Sequence, residues 1–303
     1  MAEGVQTRTP TLLHASELAQ TLVLRTAPNG IRYTTFGDTH LDDADLARVV
    51  QAVPAAIAPA LADRVFYFVP LALAETSAET HPEHLDPILP RVPEPTLIAP
   101  IFDSDLSDEA ICHRNVRVPA TLLEPAHEGV FISARLLQDQ FALAFEFFIN
   151  VGHAFASAAG IPDSFATLAW DQALADIRGE TSQDAFESRT EALAGRTPGP
   201  SRTFGEKRNA ASSRNAESNR NQPVTRPEPA FNEKARLEFT ESAFADALAI
   251  YQLSLAVDFD YSELREREYP LLAPAALAHR LRLIAQLFPP NPAYEFSIRY
   301  RRR

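Results

Sequence analysis

The chain has 303 residues, 46% of them hydrophobic and 22% charged, with a formal net charge of −12. Those values exclude a collagen-like chain, a wholly disordered chain and a multi-span membrane protein. The single cysteine, Cys112, excludes an intrachain disulfide, and a chain of this length buries enough surface to need no metal or disulfide staple.

The charge is uneven. Residues 196–230 carry seven Arg or Lys against three Glu, and the close Arg299-Tyr-Arg-Arg-Arg303 is basic, so the remaining body is more acidic than the net charge suggests. An acidic body argues against binding nucleic acid through the folded surface. The start, MAEGVQTRTP, lacks a basic patch followed by an apolar run, so a cytoplasmic protein is expected.

In chain order, 17–25 and 31–36 read as short strands around a turn at Asn29-Gly30. The stretch 39–64 reads as a helix capped by Thr39 or Asp42 and kinked or ended by Pro54 and Pro59. From Arg64, VFYFVPLAL reads as a buried strand. Six prolines in 82–100 predict an extended surface loop. Short strands are expected at 97–102, 115–118 and 129–133. A long helix follows over 134–159, ended by Gly160 and Pro162, and then helices at 163–178, capped by Asp163 or Ser164, and at 181–194.

Residues 196–230 are rich in Ser, Asn, Arg, Pro and Gly and read as a flexible linker or insertion. Beyond it, Leu237, Phe244, Leu248, Tyr251 and Leu255 define one face of a helix over 232–258. A short charged helix, SELREREY, and a helix over 274–288 burying Leu277, Leu281, Ile284 and Leu287 follow, before an edge-strand-like close at 294–303. The reading is an α+β fold: an N-terminal α+β domain, 1–195, a linker, 196–230, and a helical region, 231–303, packing on the first.

The segment 140–160 has no Lys or Arg, as a membrane span would. Glu146, Asn150 and His153 inside it favour a helix buried all round in a soluble domain. These three lie at i, i+4 and i+7 and so share one stripe. They are either a hydrogen-bonded network or a ligand site. Trp170, the only tryptophan, is expected to pack the second helix of this group on the first. His81 and His84, near Glu79 and Glu83, form a weaker metal candidate. Cys112, His113 and His127 are expected to pack rather than react, because neighbours on a strand point to opposite faces. No Gly-rich phosphate loop or GxSxG elbow occurs.

The run Val130-Phe-Ile-Ser-Ala-Arg-Leu-Leu137, then Ile149-Asn-Val-Gly-His153, then Gln172-Ala-Leu-Ala-Asp176 resembles the HExxH and ExxAD region of gluzincin zinc metallopeptidases. In that pattern two histidines and a glutamate bind zinc and the first motif's glutamate is the base. The resemblance puts His153 at the second histidine and Asp176 at the second motif's aspartate. Ile149, Asn150 and Gln172 stand at the first histidine, the base and the third ligand. It therefore implies a peptidase-like domain without its metal or base, and no cofactor. The expected function is a non-catalytic binding or scaffold protein with a protein partner. The alternative is a metal-dependent hydrolase with another ligand set, drawing on His153, Glu146 and Asp171, or on His81 and His84.

Overall fold

The computed structural model describes residues 11–74, 96–122, 124–137, 139–194, 231–264 and 269–298. His81, His84, most of the proline-rich stretch, the 196–230 segment and the basic close lie outside the described residues. The fold is α+β, with two sheets and a group of packed helices.

The larger sheet has five strands in the order β2 (Arg25–Thr26), β3 (Arg32–Thr35), β4 (Arg64–Val69), β9 (His127–Ser133) and β8 (His113–Val118). Its centre, β3-β4-β9, is parallel, and its outer pairings are antiparallel. The smaller antiparallel sheet has the order β1 (Leu13–His14), β6 (Thr96–Ala99), β5 (Leu71–Ala74) and β7 (Ala110–Ile111).

The run after Arg64 is two strands rather than one. Pro70 has no N–H for a ladder, and at that point the chain passes from β4 in one sheet to β5 in the other. Ser133 joins the sheets there: its Oγ donates to Ile111 O at 2.6 Å and accepts from Ala72 N at 2.7 Å.

Alternation along β4 feeds two cores. Phe66 and Phe68 face the helices, while Val65, Tyr67 and Val69 face α1 (Ala15–Ala19) and the small sheet. The 17–25 segment is thus helix and then irregular chain, with strand only at its end. Here packing of Leu18 and Ala19 onto the sheet overrides the strand reading.

α2 (Asp43–Gln51) starts at the Asp42 cap, whose carboxylate accepts from Ala44 N and Asp45 N, and it stops short of Pro54. Its freed carbonyls are collected from outside. Asn29 Nδ2 donates to Val50 O and Val53 O, and Asn291 Nδ2 donates to Gln51 O and Val53 O.

α3 (Gln140–Ala159) begins six residues later than its apolar pattern suggests, because Asp139 caps it on Ala142 N at 2.6 Å. α4 (Asp163–Leu174) begins after Pro162 with no side-chain cap, unlike the expected Asp163 or Ser164. α5 (Gln183–Leu193) is capped by Ser182. α6 (Glu233–Ala256) and α7 (Pro274–Leu287) complete the helices. The turn before α7 is a short 3-10 segment, Tyr261–Leu264, and 294–298 forms no strand.

The helix buried all round is α6, not α3. Every residue from Ala243 to Leu253 is buried, and one apolar cluster joins α6 to the sheet, α3 and the other helices. Small side chains at Ala243, Ala245, Ala247 and Ala249 make this possible. At Gly152 of α3, a Cβ would lie 2.6 Å from Ala245 O, so glycine is required for the two helices to cross this closely. Leu237 and Leu287 are exposed, outside the stripes predicted to bury them. Trp170 meets Phe231 and Phe239 and lies under the Arg236 guanidinium, so it joins α4 to α6 rather than to α3.

α3 is long and apolar enough to cross a membrane by length and composition, but most of its apolar window is buried against the rest of the protein. That burial is what a core helix of a soluble fold displays.

Candidate functional site

The Gly152–Ala245 crossing places the polar stripe of α3 beside the middle of α6. A cleft of about 220 Å³ opens there. α3 contributes Glu146, Ile149 and His153, and the start of α5 contributes Thr181, Ser182 and Asp184. α6 adds Ser242 and Asp246, and Tyr269 closes one side.

The stripe divides between the two roles the sequence leaves open. Asn150 is buried and turns back on its own helix, donating to Glu146 O at 2.9 Å and Glu146 Oε1 at 3.3 Å. Glu146 Oε1 also meets His113 Nδ1 at 2.5 Å, tying α3 to the edge strand β8. His153 has no hydrogen-bond or ion-pair partner among the described residues. The residue is exposed at the mouth of the cleft, where partial desolvation of its ring lowers its pKa against the charges of Glu241 and Asp184, so the imidazole is neutral near pH 7.

Asp246 forms the floor. It is 4% exposed, and its Oδ2 accepts from Thr181 Oγ1 at 2.9 Å. Burial pushes its carboxyl up to about 7, while hydrogen bonds from Ser182 and Thr181 and the charge of Arg280 pull the other way. A carboxyl that titrates near neutrality inside a cleft marks a functional-site candidate. The sequence reading passed over Asp246. Its signal was an acid in the apolar run FADALAIYQL.

Gln172 and Asp176 are not part of this cleft. Gln172 Oε1 accepts from Arg280 Nε at 2.8 Å, and its Nε2 donates to Ala276 O at 3.1 Å. Asp176 sits on the surface with a positive φ of 55°, and its nearest cation is Arg189 at 3.9 Å. The reason is the helix break after Leu174, which turns the second motif toward α7 instead of toward His153.

Arg280 also binds both oxygens of Glu180, at 2.9 and 3.3 Å, and both side chains are fully buried. Arg189 adds a 3.1 Å contact to Glu180. This network was legible in principle, because Arg280 occupies the stripe of Leu277, Leu281 and Ile284 on α7.

Cys112 lies exposed between β7 and β8, and partial burial and the Glu146 charge raise its thiol pKa, which keeps it protonated near pH 7. His127 is buried against the Tyr67 hydroxyl at 2.8 Å.

The donor set does not fit zinc. Ile149 offers no donor, Asn150 is engaged within its own helix, and Gln172 is spent on Arg280. Among the described residues no group of three or more His, Cys, Asp or Glu is arranged to hold a metal ion. No family model, curated protein or solved structure matches the chain.

Proposed function

We propose that this is a non-catalytic binding protein whose His153 cleft receives a single cationic group, an ammonium or guanidinium carried by a protein partner's side chain. The carrying observation is the neutral His153 imidazole, exposed at the cleft and without a partner among the described residues, beside the carboxyl groups of Glu146, Asp184 and Asp246. Among the described residues no lysine or arginine lines the cleft. A cation entering it gains an imidazole acceptor and carboxylate charge at once. The volume of about 220 Å³ lies below the range of drug-sized pockets, roughly 300–1,000 Å³, and suits a side-chain-sized guest. The resemblance to gluzincins is compatible with this reading, as a scaffold that binds without cleaving.

The test is titration of the full chain with N-acetyl-lysine amide and with agmatine, read from the His153 ring proton resonances. Saturable shifts are expected, weakened about tenfold in His153→Gln. The affinity should rise between about pH 6 and pH 8, as Asp246 loses its proton. No saturable shift up to about 10 mM, or equal affinity in Asp246→Asn, would overturn the proposal. Stoichiometric transition metal in protein purified without chelators would favour the hydrolase alternative instead.

A further inference from the structure

A second cleft, of about 350 Å³, lies at the carboxyl ends of the parallel strands β3 and β9. Loops leaving those ends are where open sheets of this kind form ligand sites. The loop after β3 is bent at Gly37, whose φ is +69° and where a Cβ would lie 2.3 Å from Pro100 O. The bend sets Asp38 between His40 and Arg135: its carboxylate meets His40 Nε2 at 3.0 Å and Arg135 Nη1 at 3.6 Å.

Arg135 is built in. Its guanidinium lies 5.2 Å over the Phe102 ring, and Nη1 alone reaches Asp38. Nε and Nη2 have no partner among the described residues, which leaves one edge of the fork for a planar anion.

Three aspartates also line the cleft, with different duties. Asp42 and Asp139 cap α2 and α3 on backbone N–H groups. Asp45 has no partner among the described residues and lines the cleft. The floor between is aliphatic, made by Leu46, Val49 and Leu143. A half-free arginine, a free carboxylate and an apolar floor together complement a carboxylate, an ammonium and an aliphatic chain on one small molecule.

We infer that this cleft binds a free α-amino acid with an aliphatic side chain, its carboxylate on Arg135, its ammonium on Asp45 and its side chain on the leucine floor. The site is separate from the His153 cleft and does not depend on the function proposed for it.

The experiment is calorimetric titration of the full chain with L-leucine, 4-methylpentanoate and isoamylamine. Leucine should bind at one site per chain, and each analogue lacking one charge should bind about tenfold more weakly. Arg135→Gln should weaken leucine about tenfold and leave isoamylamine unchanged. Asp45→Asn, on an exposed position, should weaken leucine and leave 4-methylpentanoate unchanged, which keeps the test decisive if Arg135→Gln does not fold. His153→Gln should have no effect on leucine. Absence of saturable leucine binding up to about 10 mM, equal binding by the three probes, or loss of leucine binding in His153→Gln would each overturn the inference.

Discussion

The Glu180–Arg280 cluster and the His153 cleft are neighbours joined through Thr181 and Asp246, yet they treat polar groups in opposite ways. In the cluster every strong charge is matched. Arg280 forks onto Glu180, Arg189 adds a second cation, and Gln172 takes the remaining guanidinium edge. In the cleft His153 stands without a partner among the described residues, beside an acid poised near neutrality. Saturated polar groups at full burial hold α4, α5 and α7 in register. Unsaturated ones at an opening are what the proposed binding role requires. The contrast separates a saturated polar cluster from the cleft proposed to bind, without reference to any relative.

The comparison breaks most severely at Glu180. Glu180→Gln leaves Arg280 buried with half its match, and removing one partner of a buried pair costs about 3–5 kcal/mol. A large fall in the urea midpoint is expected, with unfolding fully cooperative. A loss under about 1 kcal/mol would mean that water reaches the pair and that the cluster is not the closed structure described above.

Asp246 sits on the boundary, and its substitution acts in the opposite direction. Its folded pKa, about 7, is raised above the ordinary 3.8. The folded protein therefore holds a proton that the unfolded chain releases, so this group's contribution to stability is present below 3.8 and is lost as pH rises toward 7. Asp246→Asn keeps a neutral, hydrogen-bonding side chain. It should stabilise the protein by about 4 kcal/mol at pH 8 and do nothing at pH 4. Thermal melts of both proteins across that range measure it directly. A pH-independent difference would remove Asp246 from the titrating groups.

The third effect is geometric. Gly152→Ala drives a methyl group against Ala245 O at the crossing that supports the cleft. Overpacking of this kind costs about 1–3 kcal/mol, and it should also blunt the lysine-amide titration by spreading α3 from α6. Wild-type stability in this variant would show that the crossing has slack.

Much of the fold was readable because local chemistry and tertiary packing agreed. The alternation of β4, the Asp42 cap, the proline at the start of α7 and the stop at Gly160 all act within a few residues. What the sequence misassigned depends on distant neighbours. α3 looked like the centre because it is a long apolar run with no Lys or Arg, yet centrality belongs to α6, where alanines allow close approach on every side. Of the site, the stripe Glu146, Asn150 and His153 was legible from spacing, but not its division between a network and an opening. Asp246 and Glu180 acquire meaning only once α5 and α7 are folded against α6. Gln172 and Asp176 were drawn in by their likeness to a motif, and the break after Leu174 carries them elsewhere.

The smallest effect on stability is the most informative about function. His153 makes no hydrogen bond to the described residues that a substitution can break, so His153→Gln should change stability near pH 8 by less than about 0.5 kcal/mol. Acidification separates the two proteins. Burial lowers the folded pKa of His153 below the ordinary 6.5, so the unfolded chain takes up a proton that the folded state resists, and wild-type stability declines as pH falls through 6.5. The glutamine variant lacks that decline and should become the more stable protein on the acid side. Paired melts in acid and at pH 8 read this crossover, and lysine-amide titration of the same samples reads binding. A variant that is stable, insensitive to acid and deaf to the cation would place the imidazole in recognition rather than architecture. A variant destabilised at pH 8 would instead return His153 to the core network and leave the cleft without its acceptor.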